Sequence, residues 1–176
     1  MATSQKTKSY LVKILVEFSA AHRIHGYDGD CARPHGHNFK VEVHATTPKL
    51  NEIGLALDFK DLKKMTKSLV DRFDHQDLNT IAPFNDINPT AETLAHYFFT
   101  ELEKQVGADP KLNQSLTLKS VTVWENERSA ASFGFVEWAN LMKKAVLLLS
   151  SGLDSAANLE LGPSSNFKVR LALTID

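Results

Sequence analysis

The sequence predicts an α+β domain over residues 1–141, a four-stranded antiparallel sheet with two helices on one face. Two early segments alternate apolar and polar residues with period two, and the next two carry apolar residues at three- and four-residue steps. A final alternating pair completes the order strand, strand, helix, helix, strand, strand.

In residues 10–22, Val12, Ile14, Val16, Phe18, Ala20 and His22 share one parity, with Lys13 and Glu17 on the other. This is a half-buried strand that runs into a histidine on its apolar face. Residues 35–47 repeat the pattern, with His35, His37, Phe39, Val41 and Val43 on one side and Lys40, Glu42 and His44 on the other. The loop between them, HGYDGDCARP, is rich in Gly, Asp and Pro and is expected to be irregular. Asp58 is placed to cap a helix whose apolar stripe is Phe59, Leu62, Met65, Leu69 and Phe73, running through to FDHQDLN. IAPFNDINP breaks that pattern. Thr90 caps a second helix directly after Pro89, with Glu92 in its first turn and a stripe of Leu94, Phe98, Leu102 and Val106 that ends at GADP, 107–110. Strands follow at 116–125 and 129–138, joined as a hairpin by NERS. The parity change between Leu116/Leu118 and Val121/Val123 predicts a bulge near Lys119–Ser120. Open sheet edges predict closure by oligomerisation.

Twenty Lys+Arg against 21 Asp+Glu give a formal charge of −1, which argues against nucleic-acid binding through a broad basic face and against a polybasic membrane anchor. One cysteine allows no intrachain disulfide and points to a reducing cytoplasmic compartment. MATSQKTKSY has no apolar stretch behind its charges, so no signal peptide is expected, and AVLLL at 145–149 is too short to span a bilayer. Residues 142–176 depart from the scheme: AVLLL, SSGLDS, AANLEL and FKVRLALTID read as the opening of an incomplete α/β unit, strand, glycine loop, helix and strand.

The strongest chemical constellation is His22, His35 and His37, with Cys31 close by. His35 and His37 project to one side of a strand, and His22 ends a neighbouring strand with matching parity. Three imidazoles on one face form the ligand set of a catalytic zinc site, although cobalt or nickel would also be accepted. Cys31, in a polar loop four residues before His35, reads as a thiolate base or nucleophile favoured by the metal, or as a further ligand. Asp74-His75 reads either as helix-terminal charge or as a histidine oriented by its neighbour for proton transfer, and the sequence gives no distance to Cys31. Glu125, after Trp124, is by itself a carboxylate at a strand end.

FSAAHRIHGYDGDCARPHGHNFKVEV, LALDFKDLKK, FDHQDLN, NPTAETLA and VTVWENERSAASF occur in this order. Together they resemble the 6-pyruvoyltetrahydropterin synthase/6-carboxytetrahydropterin synthase family over about residues 10–138. The resemblance implies the tunnelling fold, in which three subunits pool their sheets into a barrel and two trimers stack as a hexamer. It implies Zn2+ on His22, His35 and His37, a catalytic Cys31, and Asp74 with His75 completing a proton relay. It also implies that Glu125 anchors the 2-amino-4-oxo edge of a pterin, with Thr90 in the pterin-contacting region. Ala91 stands where some pyruvoyl-type members carry a second threonine. The short Cys-x3-His-Gly-His spacing is similar to the carboxytetrahydropterin branch, and Cys31 excludes a third branch that has glutamate there. The implied reaction converts 7,8-dihydroneopterin triphosphate to 6-carboxy-5,6,7,8-tetrahydropterin; the alternatives are the pyruvoyl reaction and a non-catalytic pterin- or purine-binding module.

MKKAVLLLSSGLDSAANL resembles the N-terminus of 7-cyano-7-deazaguanine synthase, whose Ser-Gly-Gly-x-Asp-Ser loop cradles phosphates. Ser151 replaces the first glycine. A fragment with two candidate strands is expected to carry out no ATP chemistry, and its deletion is expected to leave the first domain active.

Overall fold

The computed structural model describes residues 8–112 and 115–135. The 142–176 segment, and with it the proposed α/β fragment and the boundary at 141, lies outside the described residues. The elements are β1 (Tyr10–His22), β2 (His35–Thr47), α1 (Phe59–Val70), β3 (Gln76–Asp77), α2 (Ala91–Ala108), β4 (Thr117–Asn126) and β5 (Ser129–Gly134).

Among the described residues the sheet has five strands in the order β3-β1-β2-β4-β5, one more than the sequence predicts. The addition is β3, which pairs parallel to β1 through Ala20↔Gln76 and Ala21↔Asp77 and makes the sheet mixed. Two residues cannot display an alternation pattern, and they sit inside FDHQDLN, which follows the helical stripe without a break. The backbone makes the switch at His75, whose φ of 57° lies in the left-handed region and turns the chain out of α1. His75 N–H then donates to the Ser19 carbonyl, bringing the chain alongside β1.

The other strands follow their alternation. β1 and β2 pair antiparallel along their full length, from Tyr10↔Thr47 to His22↔His35. Val12, Ile14, Phe18, Ala20 and His22 of β1 are buried, as are Phe39, Val41, Val43 and Ala45 of β2. The register between β2 and β4 jumps from His44↔Ser120 to Ala45↔Leu118, leaving Lys119 as the extra residue of the expected bulge. This lets Leu118, Val121 and Val123 all face inward despite their odd spacing. β5 is Ser129–Gly134, and the part of the expected strand from 136 to 138 lies outside the described residues.

Both helices cover the apolar face and share one core with it. Asp58 caps α1 by accepting from Lys60 N–H at 2.9 Å, and Thr90 caps α2 by accepting from Thr93 N–H at 3.3 Å. Leu94, Phe98, Leu102 and Val106 of α2 are buried, whereas Phe59 opens α1 in solvent, outside the stripe assigned to it.

Phe39 links the core to the site. It is fully buried, stacks on Phe18 at 5.0 Å between ring centroids, and meets the rings of His22 and His37 edge-on at 5.5 and 5.3 Å. Phe39→Ala is expected to cost about 3–5 kcal/mol by urea denaturation, the usual range for a phenylalanine truncated in a close-packed core.

Candidate metal centre and active site

The antiparallel register brings the three histidines together. His22 lies directly opposite His35, and Ala20 lies opposite His37, so one strand end and an H-x-H pair converge on one face. The ring centroids are 4.5 Å apart for His22–His35, 5.1 Å for His22–His37 and 5.0 Å for His35–His37. One nitrogen from each ring lies within 4.8 Å of the others, so the group can hold a metal ion.

Backbone carbonyls select the nitrogens that face inward. His22 Nδ1 is 2.7 Å from the Pro89 carbonyl and His35 Nδ1 is 2.8 Å from the Arg33 carbonyl. A carbonyl only accepts, so each Nδ1 carries the proton and each Nε2 presents a lone pair, the usual outer-shell arrangement for a ligating histidine. The Nε2 atoms of His22 and His37 are buried with no hydrogen-bond partner. Leaving a buried polar atom unpaired costs about 1–3 kcal/mol, and a bound cation would remove that cost. Burial is the largest influence holding His22 and His37 below the usual histidine range, so both rings are neutral at pH 7, the ligating form. The donor set therefore fits a metal, and three nitrogen ligands leave a fourth position of a tetrahedral ion for substrate or water.

Glu125 reaches the same neighbourhood through an irregularity in the hairpin. Trp124 pairs with Ala130 and Asn126 with Ser129, which leaves Glu125 as the unpaired residue. A bulge re-aims its side chain. Its negative charge acts on both His22 and His37, and it lines a pocket of about 180 Å³ with Ile24, Thr90, Ala91 and Glu92. Thr90 and Glu125 thus share one hollow.

Asp74 and His75 are held on the other side of β1. Asp74 Oδ1 accepts from Ser19 N–H at 2.9 Å, and Oδ2 lies 3.0 Å from His75 Nδ1. The Ser19 amide, with the His75 contact second, holds the Asp74 carboxyl below its usual range, so it stays ionised and orients the imidazole. His75 lines an open hollow of about 530 Å³ with Ser19, Ala21, His37 and Asn38, among others. Cys31 is exposed in a single helical turn, Asp30–Ala32, and lines neither hollow. Its thiol makes no hydrogen bond to Asp74 or His75 among the described residues, and its carbonyl accepts from Ile24 N–H at 2.8 Å.

Three backbone-directed contacts have no counterpart in the sequence reading: the Pro89 carbonyl on His22, Ser19 on Asp74, and the Arg33 carbonyl on His35. Main-chain donors and acceptors leave no side-chain signal, and Pro89 registers only as a helix breaker.

This geometry defines a three-histidine group able to hold a metal ion where β1 ends and β2 begins, backed by an aromatic core, with the Glu125 carboxyl close enough to act on two of its rings. The sequence profile described as 6-pyruvoyl tetrahydropterin synthase matches residues 11–134. A protein from Archaeoglobus fulgidus, provisionally named 6-carboxy-5,6,7,8-tetrahydropterin synthase, is 38% identical over 117 residues, covering 66% of this chain and 89% of its own. A Synechocystis 6-carboxy-5,6,7,8-tetrahydropterin synthase is 35% identical over 92 residues, covering 49% of this chain and 70% of its own. The structure of 6-pyruvoyl tetrahydropterin synthase from Caenorhabditis elegans superposes with a TM-score of 0.61 at 26% identity, covering 74% of this chain and 98% of that one. The chain belongs to the 6-pyruvoyl tetrahydropterin synthase family. Among the described residues no helix is long and apolar enough to cross a membrane.

Proposed function

We propose that the chain is a zinc-dependent carbon–carbon lyase that converts 7,8-dihydroneopterin triphosphate to 6-carboxy-5,6,7,8-tetrahydropterin. One water is consumed, acetaldehyde and triphosphate leave, and the product feeds formation of deazaguanine (queuosine) precursors. In this reading residues 1–141 are the catalytic domain, 142–176 are dispensable for turnover, and the working form is a cytoplasmic homo-hexamer. The observation that carries the reading is the pair of orphaned, buried Nε2 atoms of His22 and His37 beside the Glu125 pocket. The carboxytetrahydropterin names of the relatives at 38% and 35% identity support this product over the pyruvoyl one.

Bound to His22, His35 and His37, zinc would supply Lewis acidity at the hydroxyls of the substrate side chain. The chain's own residues do the rest. An ionised Glu125 accepts two hydrogen bonds from the guanidine-like edge of the pterin, which fixes which carbon of the side chain meets the histidines. Thr90 lines the same pocket, and in this reading it borders the ring. Cys31 takes and returns the proton at the side-chain carbon. Asp74 holds His75 Nδ1–H and leaves Nε2 to act as the second acid/base.

Incubating the zinc-loaded protein with 7,8-dihydroneopterin triphosphate tests this directly. Acetaldehyde and 6-carboxytetrahydropterin are expected in equal amounts. Formation of 6-pyruvoyltetrahydropterin without acetaldehyde would assign the sister reaction, and binding of the pterin without turnover would make the chain a binding module.

A further inference from the structure

We propose that Asn79 and Asn88 are positioning residues whose carboxamides replace a neighbouring strand along the extension of β1, fixing the loop that bears Cys31. Beyond His22 the chain leaves its ladder with β2 but stays pinned at three successive amides. Arg23 N–H donates to Asn79 Oδ1 at 2.8 Å, and Asn79 Nδ2 donates back to the Arg23 carbonyl at 3.0 Å. His25 N–H donates to Asn88 Oδ1 at 2.7 Å, and Asn88 Nδ2 donates back to the His25 carbonyl at 2.9 Å. Between them, Ile24 N–H donates to the Cys31 carbonyl at 2.8 Å.

The alternation is that of a strand. Residues 23 and 25 direct both backbone groups to one side, where β3 ends after pairing with Ala21 and the two carboxamides continue its role. Residue 24 directs its amide to the opposite side, where the Cys31 turn closes on it. A carboxamide carries one acceptor and two donors on a planar frame, so it reproduces the paired donor and acceptor of a peptide neighbour. Neither a carboxylate nor a hydroxyl matches that pair in fixed geometry.

Both clamps are themselves anchored. Asn79 N–H donates to Asp77 Oδ1 at 3.0 Å, and the Asn88 carbonyl accepts from Thr93 Oγ1 at 2.7 Å. Asn88 also precedes Pro89, whose carbonyl holds His22 Nδ1. One short segment therefore sets both the first metal ligand and the far end of the clamped strand. The consequence for catalysis, through the placement of Cys31, rests on the lyase reading; the clamp itself does not.

Amide hydrogen exchange on the full, zinc-loaded chain separates the two. In Asn79→Ala and Asn88→Ala, exchange at Ile24 is expected to rise about fivefold or more, as for loss of one net hydrogen bond. Ile24 touches neither asparagine through its amide, so this rise reports release of the Cys31 turn. Phe98, in the buried face of α2, should exchange as in the unaltered chain. Asn51→Ala, which removes two amide contacts in a remote loop, should leave Ile24 unchanged. Asn79→Asp and Asn88→Asp keep the acceptor and lose the donor, giving a smaller rise and a second route should an alanine variant not fold. In turnover, kcat should fall as the turn bearing Cys31 is released, and KM should rise with it, because Ile24 lines the pterin pocket. Ile24 exchange within twofold of the unaltered chain, or rising only in step with Phe98, would overturn the proposal. Absence of turnover in the unaltered chain would instead remove the lyase reading and leave the exchange result standing.

Discussion

His35→Ala is expected to lose bound metal and turnover together. Its ring is one of three that each offer a nitrogen within 4.8 Å of the others, and its Nδ1 is already committed to the Arg33 carbonyl. Two remaining imidazoles leave half of a tetrahedral shell to water, which holds zinc poorly. Even changes to groups behind the ligands typically weaken metal affinity by about 10–100-fold, so removal of a ligand should exceed that. The fold should persist, because His35 is a half-buried residue at a strand end whose ring contacts His22 and His37 and leaves the apolar core intact. Metal analysis after desalting, beside a product assay and far-UV circular dichroism, checks all three statements. Metal retained at one per subunit would show that another group completes the site.

Cys31→Ala is expected to separate what His35→Ala joins. The thiol is exposed on a turn and is no member of the histidine group. Metal content should therefore stay near one per subunit while turnover falls by about 10²–10⁴-fold, the range of a lost general acid or base. KM should change little, since Glu125 and Thr90 line a separate pocket. Loss of zinc in this variant would make Cys31 a ligand and dissolve the role given to it.

The parts legible in the sequence share a physical cause. Alternation is a direct consequence of burying one face of a strand, so the runs ending in His22 and beginning at His35 disclosed both the sheet and the convergence of their rings. The bulge at Lys119 was legible for the same reason, because two fixed parities cannot share one face without an extra residue. Asp58 and Thr90 were legible as caps because their side chains satisfy helix N–H groups locally. β3 was not, since its pairing depends on the left-handed His75 and on Ser19, 56 positions upstream. The same holds for Asn79 and Asn88, which look like ordinary loop residues and act only on backbone far away in sequence. Glu125 lay between these cases: its position was visible, while the hairpin irregularity that aims it emerged only from the register.

Reconstitution of the metal-free chain with zinc tests the central claim most directly. Acetaldehyde production from 7,8-dihydroneopterin triphosphate should rise in proportion to added zinc, break at one equivalent per subunit, and then stay flat. Undiminished turnover in the metal-free chain, or saturation at one zinc with no aldehyde formed, would contradict the account.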